Sequence, residues 1–187
     1  MDYFKLFNLE PLLNLDLGYL EKQFYELSRR HHPDYHTNLP KDEQEEALRM
    51  TALLNDAYRT LKNPTRRAEY LLDSRGFSVD RSKVPESLLM EVFEINEGLE
   101  QLREAKQSGS NLVDLLRGLE NVRAKIAHKR QAYDKELSET FCRWDALVSN
   151  GASTEDRREH LTTLCDIICR ASYIRNLERD IEDEVES

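Results

Sequence analysis

An all-α fold follows from three observations. Apolar residues recur at spacings of three and four along most of the 187 residues. Charged residues make up 34% of the chain, against only six glycines and five prolines, a composition of helices with solvated faces. The pattern also breaks at a few Pro- and Gly-marked points, where helices begin and end. Those breaks divide the chain into an N-terminal domain over 1–76, a linker over 77–84 and a C-terminal three-helix bundle over 85–187.

The N-terminal elements come first. Leu17, Leu20, Phe24 and Leu27 form a helical stripe. Asp16 is its N-cap, with Leu15 and Leu20 placed as a hydrophobic staple. The helix stops at Pro33, which lacks an N–H and disfavours helical geometry at His32. After Pro40 a second stripe runs through Ala47, Leu48, Leu54, Ala57, Tyr58 and Leu61. Asn63-Pro64 is a cap followed by proline at the first helical position, opening a short helix that ends at Gly76. Two antiparallel helices thus flank a loop carrying His32-Pro33-Asp34. An imidazole and a carboxylate are held there in water, available to a partner.

The C-terminal pattern opens at Pro85. Leu88, Val92, Ile95, Leu99 and Leu102 repeat at four, three, four, three, a seam that needs a partner helix. Leu112, Leu115, Leu119, Val122, Ile126, Tyr133, Leu137, Phe141, Trp144 and Val148 mark one helix of up to ~38 residues, its stripe interrupted at Lys129 and Arg130. Asn150-Gly151 is a turn, and Ser153 with Asp156 is a capping pair. Leu161, Leu164, Ile168, Ala171, Ile174, Leu177, Ile181 and Val185 belong to the last helix. Three amphipathic helices with two short connections make an elongated bundle. Its first helix is unusual. At ~100° per residue, Leu89, Met90 and Phe93 fall on the flank and far side of the seam, beside Glu94, Glu97 and Glu100. That patch either packs on the N-terminal domain or binds another protein. Apolar anchors rimmed by carboxylates favour binding.

Charge and cysteine content exclude other classes. The net charge is −9; residues 1–76 hold 11 basic and 13 acidic side chains, leaving −7 for 77–187. With no basic stripe, nucleic acid is not an expected partner. No apolar run approaches the ~20 residues that span a bilayer. No signal-peptide pattern opens the chain, so it is expected in the bacterial cytoplasm, with no membrane partner. Cys142, Cys165 and Cys169 are too few for a disulfide scaffold. Cys165 and Cys169 share a helical face, which fits small core residues better than a ligand pair, since a cluster usually needs four ligands. His31, His32, Asp34 and His36 are the densest ligand-type run, and a metal-dependent hydrolase is the enzyme reading of it. Proline among the ligands and the lack of a second acidic cluster argue against that. No catalytic residue, resident metal or cofactor is expected.

His32-Pro33-Asp34, followed by Asn55-Asp56-Ala57-Tyr58-Arg59-Thr60-Leu61, Pro64, Arg67 and Tyr70, resembles the J-domain, the co-chaperone module that stimulates the ATPase of Hsp70 proteins. The opening 1–7, Arg67-Ala68-Glu69-Tyr70-Leu71-Leu72 and Leu89-Met90-Glu91 are similar to one J-protein subfamily, the iron–sulfur cluster co-chaperones of the HscB/Jac type. The resemblance is strong over 1–76 and weaker but in register beyond. It implies Hsp70 binding through Arg29, Arg30, His32, Pro33 and Asp34. It implies docking of an iron–sulfur scaffold protein on Leu89, Met90, Phe93, Glu94 and Glu97, with Tyr173 from the last helix. One acidic position of the subfamily falls at Gln101. The expected protein is a monomeric, non-enzymatic co-chaperone that delivers an IscU-like scaffold to an HscA-like Hsp70. A J-protein with a different client is the nearest alternative, and a metal-dependent hydrolase the distant one.

Overall fold

The computed structural model describes residues 2–32, 40–80, 88–108 and 112–186, and every regular element among them is a helix. They are α1 (Tyr3–Leu6), α2 (Leu17–Arg30), α3 (Lys41–Lys62), α4 (Pro64–Ser74), α5 (Leu89–Gln107), α6 (Leu112–Ser149) and α7 (Thr154–Glu186). The local signals explain most of the boundaries. Asp16 caps α2 by accepting from the amides of Gly18 and Tyr19. Asn63 caps α4 by accepting from Arg66 N–H, with Pro64 at the first position. Ser153 Oγ accepts from Asp156 N–H at 3.1 Å and donates to the Asp156 carboxylate at 2.7 Å, opening α7.

Helix ends are equally specific. At Gly76 (φ +80°) the amide of Phe77 donates to Leu72 O and that of Gly76 to Asp73 O, a Schellman exit from α4. Gly151 (φ +65°) does the same after α6, with Ala152 N–H on Leu147 O and Gly151 N–H on Val148 O. Asn8 (φ +53°) ends α1 in this way without a glycine. The sequence pattern gave no sign of α1. Four residues are too short for a period, and the helix stands on its surroundings. Asp2 caps it, Tyr3 N–H donates to Tyr70 Oη at 2.9 Å, and the Tyr3 and Tyr70 rings stack at 4.4 Å.

The chain forms two compact units. One comprises Met1–Phe77 and Phe141–Leu161; the other comprises Ser78–Thr140 and Thr162–Ser187. The core of the first unit holds Phe4, Phe7, Leu13, Leu20, Leu54, Leu61, Leu71 and Leu72, together with Phe141 and Trp144 from α6. Periodicity assigns Trp144 to the bundle seam; it lies instead in the unit built from residues 1–77. Two further expectations are corrected. Leu17 and Leu48 lie on their helical stripes, yet they are 45% and 61% exposed, because the hairpin covers a narrower arc than the stripe spans.

What ties the end of α6 into the first unit is polar. Asp145 accepts from Leu13 N–H at 2.6 Å with one carboxylate oxygen, and from Asn14 N–H and Asn14 Nδ2 at 2.9 Å with the other. Trp144 Nε1 donates to Pro11 O at 2.8 Å. Arg67 is buried nearby, with Nη1 donating to Leu61 O at the end of α3. Burial lowers its pKa from the usual arginine value, and the negative charge of Asp145 opposes that.

The second unit has its own core of Leu88, Val92, Val122, Ile126, Tyr133, Ala171 and Ile174. A Cβ on Gly98 would meet Val122 Cγ2 at 2.9 Å, so α5 approaches α6 where only glycine fits. Arg130, which breaks the α6 stripe, pairs with Glu178 at 3.0 Å. Arg170 pairs with Glu136 at 3.1 Å and lies over the Tyr133 ring at 5.2 Å. Leu88 and Val92 of the predicted α5 seam are buried. The side chains of Ile95, Leu99, Leu102, Leu112, Leu115, Leu119, Ile181 and Val185, and residues 81–87 with Pro85, lie outside the described residues.

The Asp145 contacts predict a large effect from a small change. Asn at 145 keeps one acceptor oxygen and turns its amide NH2, a donor, toward a backbone donor. Asp145→Asn should lower stability by roughly 2–4 kcal/mol in urea unfolding. A change below about 0.5 kcal/mol would mean that the Leu13 and Asn14 amides are equally well served by water.

Candidate functional site

The first candidate site is the end of α2. Leu20 is fully buried, and Phe24 stacks on Tyr58 of α3 with ring centroids 4.2 Å apart. Tyr58 Oη lies 3.3 Å from Glu21 and accepts from Lys62 Nζ at 3.1 Å, which extends the contact between the two helices. The last turn of α2 carries Arg29 and Arg30, both exposed, where cations favour the negative end of the helix dipole. His31 is the C-cap, and its N–H donates to Leu27 O at 3.0 Å. His32 is exposed. Pro33, Asp34 and His36 lie outside the described residues.

One residue that the sequence reading passed over holds this end. Thr51 Oγ1, from α3, lies 3.0 Å from His31 O and 2.9 Å from Ala47 O. A hydroxyl has a single proton, so the two carbonyls share it. The contact reaches the carbonyl immediately before His32, at the C-cap of α2. A threonine in mid-helix bonding back to the preceding turn is ordinary. Nothing in the sequence distinguishes one that also reaches a second helix.

The second candidate site is the outer face of α5. Leu88 and Val92 point into the core, whereas Leu89 is 54% exposed, Met90 72% and Phe93 66%. Glu97 is exposed as well; the Glu94 side chain lies outside the described residues. Tyr173 of α7 is half-buried, packed against the core cluster that also holds Leu88 and Val92. Leu89, Met90 and Phe93 all face solvent. Isolated apolar residues on a surface are ordinary, but three within five positions, beside buried seam residues, form a contiguous patch.

The cysteines take part in packing. Cys165 and Cys169 are half-buried rather than core residues, and Cys165 Sγ approaches Ser78 O at 3.6 Å. Burial pushes the Cys169 thiol up, against the opposing effect of its hydrogen bonds from Cys165 and the Asp80 backbone. A raised thiol is a poor ligand and nucleophile. Among the described residues, no three His, Cys, Asp or Glu side chains stand close enough to hold a metal ion. Among the same residues, no helix is long and apolar enough to cross a membrane.

Comparison with known proteins gives two family matches. Residues 2–70 match the DnaJ domain family, and residues 84–182 match the HSCB C-terminal oligomerisation domain family. The chain is 34% identical over 146 residues to a co-chaperone protein HscB homolog of Neisseria meningitidis, covering 76% of this chain and 83% of that protein. It belongs to the HscB co-chaperone family. A second homolog, from Aliivibrio salmonicida, is 34% identical over 73% of this chain and 82% of its own length. Chaperone HscB from Vibrio cholerae has a solved structure that superposes with a TM-score of 0.63 at 27% identity, covering 100% of this chain and 98% of that one. The human co-chaperone HscB shares the fold, with a TM-score of 0.67 at 22% identity over 99% and 82% of the two chains. Within this HscB-family chain, the His32 loop lies in the DnaJ-domain match and the α5 patch in the C-terminal match.

The Thr51 contact is testable without touching the loop. Thr51→Val keeps the shape and removes the proton shared by His31 and Ala47. It should cost about 0.5–1.5 kcal/mol of stability in denaturant unfolding. Hydrogen exchange at the His31 and His32 amides should rise more than exchange in the second unit, and equal changes in both would remove Thr51 from holding the end of α2.

Proposed function

We propose that this HscB-family chain is a cytoplasmic co-chaperone of iron–sulfur cluster assembly. Residues 1–76 form the half that faces an Hsp70-type, HscA-like chaperone. Residues 85–187 form the half that faces an IscU-like scaffold protein, and 77–84 link the two. The observation that carries the reading is the solvent exposure of Leu89, Met90 and Phe93 on a helix whose opposite side is buried. Fully burying such a side chain is worth about 1.5–3 kcal/mol, so three exposed in one patch offer a partner a substantial apolar contact. Glu94 and Glu97 rim the patch in the sequence, and Tyr173 of α7 would add an aromatic contact.

On the chaperone side, Asp34 presents a carboxylate to a cationic group of the Hsp70. A charge-assisted bond of that kind is short and directional. Pro33 and His32 hold the loop's shape, and Arg29 and Arg30 add positive charge at the foot of the loop. The chain itself makes and breaks no covalent bond. It brings the scaffold to the Hsp70 and stimulates ATP hydrolysis there, which traps the scaffold on the chaperone and promotes cluster release. Linking both contacts in one chain raises the effective concentration of client at the chaperone.

Two sets of variants separate the halves. Replacing Leu89, Met90 and Phe93 by Ser should change stability by no more than about 0.5 kcal/mol per position. Calorimetry should show loss of scaffold binding, because central apolar anchors dominate interfaces. Stimulation of Hsp70 ATPase without scaffold should survive in this variant. Asp34→Asn and His32→Gln should show the reverse: scaffold binding kept, stimulation lost. Normal scaffold binding by the triple variant would point to a different client for the patch, and full stimulation by Asp34→Asn would remove the loop from the mechanism.

A further inference from the structure

The chain is acidic, at −9 overall, yet the first unit contains a cleft of about 330 Å3 lined by three arginines. Arg75 and Phe77 enter it from the Schellman exit of α4. Thr154, Arg157 and Arg158 enter from the first turns of α7, and Trp144 of α6 forms part of the wall. No carboxylate is among the residues lining it. Of the acidic residues at the start of α7, Asp156 is turned back onto the Ser153 hydroxyl at 2.7 Å. The Nε atom of Arg157 is buried and finds no hydrogen-bond partner among the described residues. A buried donor without an acceptor, beside two further guanidinium groups, is an unfavourable arrangement that an anion would relieve.

We infer that this cleft binds a small phosphate monoester. The phosphoryl group would be held by the guanidinium groups of Arg75, Arg157 and Arg158 and by the Thr154 hydroxyl, and the organic group would lie against Phe77. Guanidinium forks match phosphoryl oxygens in pairs, and they keep their charge at any physiological pH. The position at the start of α7 adds the positive end of a long helix to the same anion. The volume is at the lower end for small-molecule sites, which fits a phosphate with a short ring. This surface is formed by α4, α6 and α7; it shares no residue with the His32 loop or the α5 patch, and the inference does not depend on the proposed function.

Trp144 is the only tryptophan of the chain and a wall of the cleft, so its fluorescence reports directly on occupancy. The full chain is titrated at constant ionic strength with inorganic phosphate, and separately with phenyl phosphate. Both should give saturable changes, with phenyl phosphate the tighter. The exposed Arg75→Gln should weaken both by about tenfold or more with an unchanged melting temperature, because the charge-assisted contact it removes is worth that much. Arg123→Gln/Lys125→Gln, an exposed pair on α6 in the other unit, should leave both affinities unchanged. Absence of saturation, equal affinities in the cleft variant, or an equal loss in the α6 control would overturn the site. Phenyl phosphate binding no tighter than inorganic phosphate would overturn the part assigned to Phe77.

Discussion

The segment between α1 and α2 has no ladder or helix of its own to satisfy its backbone, and Asp145 supplies what is missing. Leu13 is completely buried, so its amide cannot rely on water. Asp145 takes that amide and the next one, while Trp144 donates to the carbonyl of Pro11. These partners lie more than 130 residues away in the chain. The first unit is therefore completed only when the last turns of α6 and the first of α7 are in place. Buried backbone groups cost too much to leave unmade, and that accounts for the inclusion of residues 141–161 in the unit formed by residues 1–77.

How far the sequence could be read follows the range of each interaction. Caps and exits act over three or four residues, and Asp16, Asn63, Ser153, Gly76 and Gly151 were all legible. So were the long α6 and the two-sided apolar character of α5, because both are periodic over several turns. Periodicity shows which face of a helix is apolar but not what covers it. Trp144 fits the bundle stripe and yet belongs to the first unit. Leu17 and Leu48 fit their stripes and yet face water. Asp145 and Thr51 were illegible for another reason: each is a single polar residue whose partner is fixed only by the tertiary fold. The four-residue α1 falls below the length at which a pattern exists, and its stability comes from Asp2 and Tyr70.

The two candidate surfaces differ in physical kind. The end of α2 offers charge, with Arg29, Arg30 and His32 exposed, and Thr51 holds its last carbonyl. The α5 patch offers apolar area, and its cost is exposure in the absence of a partner. The acidity of the chain, −7 over residues 77–187, helps keep such a surface soluble. Each surface falls in a different family match, and each is formed by residues of a different compact unit. A change on one is expected to leave the chemistry of the other intact. The proposed delivery, by contrast, would require both on one chain, since the benefit of linkage disappears when the contacts are on separate molecules.

That requirement can be measured directly by complementation. One chain carries Asp34→Asn and keeps its α5 patch; a second carries the Leu89, Met90 and Phe93 to Ser changes and keeps its loop. Steady-state Hsp70 ATPase is recorded with the scaffold protein present, for each variant alone, for their equimolar mixture and for the parent. The mixture should show only the basal stimulation of the second variant, far below the parent. Recovery of the parent's scaffold-dependent rate by the mixture would contradict delivery by a single two-surface chain.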